Sequence, residues 1–160
     1  MAIPANRPQG LTLNASLHIA QLDSADRHDW EILARGYKAF YNTPTSDAHF
    51  DATWHRLIGP DAAVCGLGAR YEGQLVGIAH YVFHTTVWAP VSCYLQDLFT
   101  LPSARGKGVA RALIDAVAAD ARQHAAERYY WNTQTTNETA RALYDKVAQF
   151  KGFIRYDYAL

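Results

Sequence analysis

The run Arg105-Gly106-Lys107-Gly108-Val109-Ala110-Arg111 decides how the rest of the chain is read. Before it, Cys93–Thr100 is rich in β-formers and predicts a strand. After it, Val109, Leu113, Val117 and Ala121 recur every four residues, with Ala110, Ile114 and Ala118 alongside. That period predicts a long amphipathic helix from Gly106 or Gly108 to about Ala126. Two glycines let the backbone turn tightly and approach a ligand. Free N–H groups at a helix start, with the helix dipole, favour phosphate. Arg105, Lys107 and Arg111 add fixed positive charge. The turn is not a P-loop, since Leu101 and Gly108 stand where that motif needs a Gly and a Ser or Thr. Nor is it the dinucleotide fingerprint, which needs Gly or Ala at Arg111. The plain alternative is a strand-to-helix turn with no ligand.

Working outward, Leu17–Ala20 predicts a short strand, and Asp23 can cap a helix from Ser24 to about Tyr41. Asn42-Thr43-Pro44 breaks that helix, and Asp47–Ile58 predicts a second one, stopped by Gly59-Pro60. Ala63–Tyr71 and Gln74–Phe83 predict strands joined by a tight turn at Glu72-Gly73. Downstream come a strand at Tyr129–Thr133, a helix at Glu138–Ala148 and a closing strand at Phe153–Tyr158. Residues 1–15 read as a loose tail, and residues 16–160 as a single α+β domain without repeats or linkers.

The 160 residues suit one domain that buries roughly two thirds of its unfolded surface. Lys+Arg and Asp+Glu are each 15, so the formal net charge is zero, which argues against a nucleic-acid partner or a polybasic membrane-surface protein. No run approaches the ~18 apolar residues of a membrane span, and the N-terminus does not read as a signal peptide. Cys65 and Cys93 are too few for a disulfide framework or a four-cysteine zinc site, so reduced thiols in a cytoplasmic protein are expected. The neutral total divides. Residues 1–100 hold six Lys/Arg and nine Asp/Glu, and residues 101–160 hold nine and six. Chance accounts for that equally well as an anionic ligand on the second part and a cationic one near the first.

The turn resembles the acyl-CoA loop of the GNAT acetyltransferase superfamily, which reads Arg/Gln-x-x-Gly-x-Gly/Ala. Arg105, Gly108 and Ala110 match it. Leu98, Phe99, Thr100, Leu101 and Pro102 precede it, as that family's pantetheine-binding strand does. Asn137 lies 32 residues after Arg105, and Tyr144 seven after Asn137, like the family's CoA-contacting Asn and catalytic Tyr. The resemblance covers about residues 16–158. Tyr81-Val82-Phe83-His84, Trp88 and Tyr94-Leu95-Gln96-Asp97 are similar to the spermidine/spermine branch and its polyamine and histone acetyltransferase-like relatives. Members of that branch commonly carry Glu as a base where this chain has Gln96. The resemblance implies an α/β/α-layered fold with a mixed, mostly antiparallel sheet of six to seven strands, about four helices and a splayed central strand pair. It also implies acetyl-CoA as cosubstrate, no metal, a primary-amine acceptor such as a polyamine, diamine or lysine, and, by analogy, a homodimer.

Acetyl transfer to an amine needs the neutral nucleophile, and an amine with pKa near 10.4 is only about one part in a thousand neutral near pH 7.4. A proton acceptor beside it helps. Gln96 cannot serve, but Asp97 can, and so can His80 or His84, directly or through water. On a regular strand Gln96 and Asp97 face opposite sides, and a β-bulge could re-aim either. The resemblance implies a backbone N–H near Leu98 for the developing oxyanion and Tyr144 as proton donor to the departing thiolate. Asn137 can cap the last helix and also contact the pantetheine arm, while Lys146 could reach the CoA phosphates. Gly106, Lys107, Val109, Ala110 and Arg111 complete the expected cofactor set.

On the acceptor side, Trp30, Tyr37, Phe40 and Tyr41 share the first helix with Asp26, Asp29 and Glu31, and Trp54 shares the second with Asp47 and Asp51. Aromatics beside carboxylates suit a cationic amine. Core packing plus a solvated acidic face explains the same pattern. Trp30, Tyr37, Tyr41, His80, His84, Trp88 and Gln96 are the candidate acceptor residues. Two other readings stand beside this one. One is a non-catalytic acyl-CoA-binding regulatory module. The other is a metallohydrolase, for which the chain lacks His-Glu-x-x-His.

Overall fold

The computed structural model describes residues 11–14, 16–59 and 64–160. Asp23 starts the helical part. Its side chain accepts from the Ala25 N–H at 2.8 Å, and Asp26 accepts from the Asp23 N–H at 3.0 Å. This reciprocal cap leads through a short 3-10 turn at Ser24–Asp26 into α1, Arg27–Phe40. Ser46 caps α2, Asp47–Ile58, by accepting from the His49 N–H. The later helices are α3, Val109–Gln123, and α4, Glu138–Val147. α3 ends before the expected Ala126 because Ala125 takes a positive φ of 52°.

One mixed sheet runs in chain order: β1 (Leu11–Asn14), β2 (Leu17–Gln21), β3 (Cys65–Tyr71), β4 (Gln74–His84), β5 (Ser92–Thr100) and β6 (Arg128–Trp131). Neighbours are antiparallel except β5 and β6. The body of the sheet is smaller than the expected six to seven strands. Five strands, β2–β6, form the body of the sheet, and short β1 lengthens its edge. β1 lies in the expected loose tail, where Leu11, Thr12 and Asn14 pair with β2. The strand expected at Phe153–Tyr158 is absent. Residues 148–160 hold no regular structure, and Phe153, Ile154, Tyr156 and Tyr158 are exposed. Apolar alternation makes a strand only where a sheet edge pairs its backbone, and this segment pairs with none among the described residues. Residues 1–10, Ala15, the helix break at Pro60 and the strand start at Ala63 lie outside the described residues.

The sheet is packed on both faces. Val109, Leu113 and Val117 of α3 are fully buried against one face with Leu67, Tyr81 and Leu95. Trp30 and Leu33 of α1, with Phe50 and Trp54 of α2, bury Ile78 and Leu75 on the other. A Cβ on Gly77 would lie 2.7 Å from Val109 Cγ1, so β4 meets the start of α3 at a distance only glycine allows. α4 has no fully buried residue and rests on half-buried Leu143, Tyr144 and Val147. No helix among the described residues is long and apolar enough to cross a membrane.

Candidate active site

The site begins with an irregularity in β5. Along β4 and β5, Gly77 pairs with Thr100 and His80 with Asp97, but Tyr81 pairs with Leu95. Gln96 is therefore an extra residue, a β-bulge. Its effect is to turn Gln96 and Asp97 into one cavity, where a regular strand would send them to opposite faces. The parallel pairing of β5 with β6 ends at the same point, with Leu95 opposite Trp131. From Gln96 to Thr100 the β6 side of β5 has no strand partner among the described residues, so the two parallel strands part after Leu95.

Three buried or half-buried side chains fix the orientation of Asp97. The Trp30 indole donates to His80 Nε2 at 2.9 Å, and His80 Nδ1 meets Asp97 Oδ2 at 2.9 Å. An indole N–H can only donate, so Nε2 is an acceptor and the ring proton sits on Nδ1, aimed at the carboxylate. Both nitrogens of His80 are thereby committed, which leaves Asp97 as the group free to take a proton. Burial alone would raise the Asp97 pKa. The hydrogen bond from His80 Nδ1–H, then the Tyr37 hydroxyl and the Lys38 ammonium, outweigh it and hold the carboxyl below its ordinary value. Burial, followed by the charge of Asp97, pushes the Tyr37 and Tyr41 phenols up, so both keep their protons.

The cavity has a volume of about 210 Å³. Trp30, Phe50 and Ile78 give it apolar walls, and Tyr37, His80, Gln96 and Asp97 give it a polar end. Sequence reasoning missed Lys38 and Arg56, which also line it. They come from two helices, and nothing in their local pattern marks them. The expected box of aromatics and carboxylates separates into two layers. Trp30 is fully buried and tilted on Trp54 at 4.9 Å, whereas Glu31, Asp47 and Asp51 turn outward into ion pairs and Asp26 is buried in one. Arg27 bridges Glu31 and Asp51, Arg35 bridges Glu31 and Asp47, and Arg70 holds Asp26.

His84 and Trp88 do not line the cavity. His84 Nε2 lies 3.1 Å from the Tyr130 hydroxyl, and Trp88 is 90% exposed on the β4–β5 connection. The branch resemblance makes Trp88 a candidate acceptor residue, but the tight Thr86–Ala89 turn carries it away from the cavity. Among the described residues, no group of three or more His, Cys, Asp or Glu could hold a metal.

At the other end of β5, Pro102–Ala104 forms a 3-10 turn, and Gly106 and Gly108 take φ of 77° and 78°. This left-handed geometry costs other residues ~1–2 kcal/mol. No side chain caps α3, whose first bond runs from the Ala112 N–H to the Gly108 carbonyl. The N–H groups of Val109, Ala110 and Arg111 therefore have no acceptor within the helix. Arg105, Lys107 and Arg111 are exposed around them. Lys107 Nζ sits 4.5 Å over the Tyr71 ring, and Arg111 pairs with Asp115 at 3.5 Å. Thr100 Oγ1 is buried with no hydrogen-bond partner among the described residues. Open N–H groups, exposed cations and an orphaned polar atom beside an unpaired strand edge fit a phosphorylated pantetheine ligand such as CoA. Leu98 and Phe99 pack into the two cores from this strand.

α4 brings the last residues. Asn137 accepts from the Ala140 N–H at 3.4 Å, so it caps the helix, and its amide lies against the Tyr41 hydroxyl. Tyr144 packs edge-on to Trp131 at 5.3 Å, on the strand that parts from β5. Burial, then the Tyr41 phenol, pushes its pKa up to about 12. Lys146 is exposed on the same helix.

A family model described as "Acetyltransferase (GNAT) family" matches residues 30–150. The chain is 32% identical over 139 residues to a D-amino-acid N-acetyltransferase of Saccharomyces cerevisiae, covering 85% of this chain and 86% of that protein. A ribosomal-protein-alanine N-acetyltransferase from Brucella melitensis biovar Abortus 2308 superposes with a TM-score of 0.76 at 26% identity, over 91% of this chain and 99% of that one. AAC(6')-Iy in complex with the bisubstrate analogue CoA-S-monomethyl-acetylneamine shares the fold, with a TM-score of 0.79 at 18% identity over the same shares of each chain.

Proposed function

Since the chain belongs to the acetyltransferase (GNAT) family and is an N-acetyltransferase, we propose that it acetylates the amine of an amino acid by direct transfer from acetyl-CoA. The observation that carries the chemistry is the ionised Asp97, oriented by Trp30 and His80 at the polar end of the cavity. The acceptor class is supported by the D-amino-acid acetyltransferase relative and by the outward pairing of the acids that would otherwise suit a polyamine.

When bound, acetyl-CoA supplies the activated acetyl group. Asp97 takes the amine proton, directly or through a water. A carboxylate with a depressed pKa suffices, because the nitrogen becomes strongly acidic as it gains the acyl carbon. The backbone N–H near Leu98, on the unpaired edge of β5, would donate to the oxygen that gathers negative charge. Tyr144 keeps its proton across the neutral range and donates it to the departing sulfur. The Gly106–Arg111 turn binds phosphate through α3's open N–H groups, with Arg105 and Lys107 adding charge. Asn137 and Thr100 flank the pantetheine path, and Lys146 remains within this reading as a phosphate contact. A homodimer is also part of it, supported by the exposed apolar side chains of residues 150–160.

The test is CoA-thiol release from acetyl-CoA with D- and L-amino acids, spermidine and a lysine peptide, with products identified by mass. The expected result is acceptor-dependent release with N-acetylated amino acid as product. Tight acetyl-CoA binding without acetylation of any acceptor would favour a regulatory acyl-CoA-binding module. Release with spermidine alone would restore a polyamine acceptor.

A further inference from the structure

We propose that Lys38 and Arg56 form a carboxylate-binding subsite in the acceptor cavity, so that the enzyme selects amines whose nitrogen and carboxylate lie close together. The inference rests on the amino-acid reading above and names the residues that would enforce it.

The argument is one of charge accounting inside the cavity. Its lining holds Lys38, Arg56 and Asp97 as formally charged groups. Asp97 is satisfied by His80, and it is the group that must meet the amine. The neighbouring cations are already engaged, because Arg27 and Arg35 each bridge two carboxylates. Among the described residues Lys38 forms no ion pair, and the Arg56 guanidinium donates only to Thr53 Oγ1, at 2.9 Å. Two uncommitted cations beside a base are unfavourable for an acceptor that carries only positive charge, since like charges repel across a partly desolvated space. They become favourable once the acceptor also brings an anion.

The placement supports that division of labour. Lys38 follows Tyr37, whose hydroxyl lies beside Asp97, and Lys38's charge helps hold that carboxyl ionised. An amine at Asp97 with a carboxylate on the adjacent carbon would present its anion to a cation on this turn of α1. Arg56, on the last turn of α2, offers N–H donors that Thr53 does not use.

The experiment compares D-leucine with 3-methylbutylamine, the same amine without its carboxylate, in the wild-type enzyme and in Lys38→Met, Arg56→Met and Lys38→Arg. The expected wild-type result is a kcat/KM at least ~10-fold higher for D-leucine. Lys38→Met should collapse that ratio ~10- to 100-fold, mainly through KM, with a smaller loss for Arg56→Met and recovery in Lys38→Arg. An unchanged ratio in both Met variants overturns the proposal, and so does an equal loss on both substrates. A wild-type enzyme that acetylates 3-methylbutylamine but no amino acid overturns the amino-acid reading itself.

Discussion

The turn between β5 and α3 and the cavity beneath α1 and α2 meet along the same strand, yet they are built differently. The turn relies on backbone: two left-handed glycines, an uncapped helix start and a strand edge left open. The cavity relies on side chains far apart in sequence. Trp30, His80 and Asp97 are joined by bonds spanning 50 and 17 residues. A site made from backbone tolerates changes of side chain and fails when the dihedral is lost. A site made from a side-chain chain fails at any of its links. One half should therefore respond in cosubstrate binding and the other in turnover.

Among the variants that set one half against the other, Tyr144→Phe gives the largest expected effect, since it removes the donor where the halves meet. Turnover should fall ~100-fold while the acetyl-CoA Kd changes less than ~3-fold, as measured by stopped-flow and calorimetry. The raised pKa fixes the sign of the pH dependence. The folded chain holds this proton more tightly than an ordinary phenol, so no alkaline loss from Tyr144 is expected until pH approaches 12. Gly108→Val should act only on the other half. A β-branched residue at φ 78° is strained, and the acetyl-CoA Kd should rise ~10-fold with the acceptor KM unchanged. Comparable losses in acceptor KM would mean that the two halves are not separable.

Trp30→Phe should have a smaller effect on rate, a few-fold, and a distinctive signature. His80 Nε2 loses its donor, at a stability cost of ~1–3 kcal/mol by denaturant titration. At pH 8 the His80 ring should pass from one tautomer, with the proton on Nδ1, to a mixture visible in long-range nitrogen NMR. A single unchanged tautomer would show that Trp30 does not orient the ring. Trp88→Ala should do least, with kcat/KM within twofold of wild type, because this side chain is almost fully exposed away from the cavity.

These differences follow what could be read in the sequence. The Gly106–Arg111 turn, α1, α2 and the strands β2–β6 are local patterns of period and punctuation, and they are readable because each residue's neighbours in sequence are its neighbours in space. Asp97 was a candidate for the base because the residue type is right. That it shares the cavity with Gln96 depends on a bulge, which sequence admits but does not locate. Lys38 and Arg56 escaped notice because their meaning lies in what they do not pair with, and that requires knowing where Glu31, Asp47 and Asp51 go. The Phe153–Tyr158 segment misled for the converse reason. Its alternation is strand-like, but a strand also needs an edge to pair with.

Asp97→Asn tests the account most directly. The amide still accepts from His80 Nδ1, so geometry persists while the capacity to take a proton is lost. Asp97 sits below the ordinary carboxylate range, so the stability its charge contributes is present above that range and is lost only as pH falls through its depressed value. Comparing the proteins at neutral pH is therefore unaffected by acid unfolding. The predicted result is a turnover reduced ~10²- to 10⁴-fold with acetyl-CoA Kd within ~2-fold of wild type. Turnover within ~2-fold of wild type would contradict the assignment of Asp97 as the base.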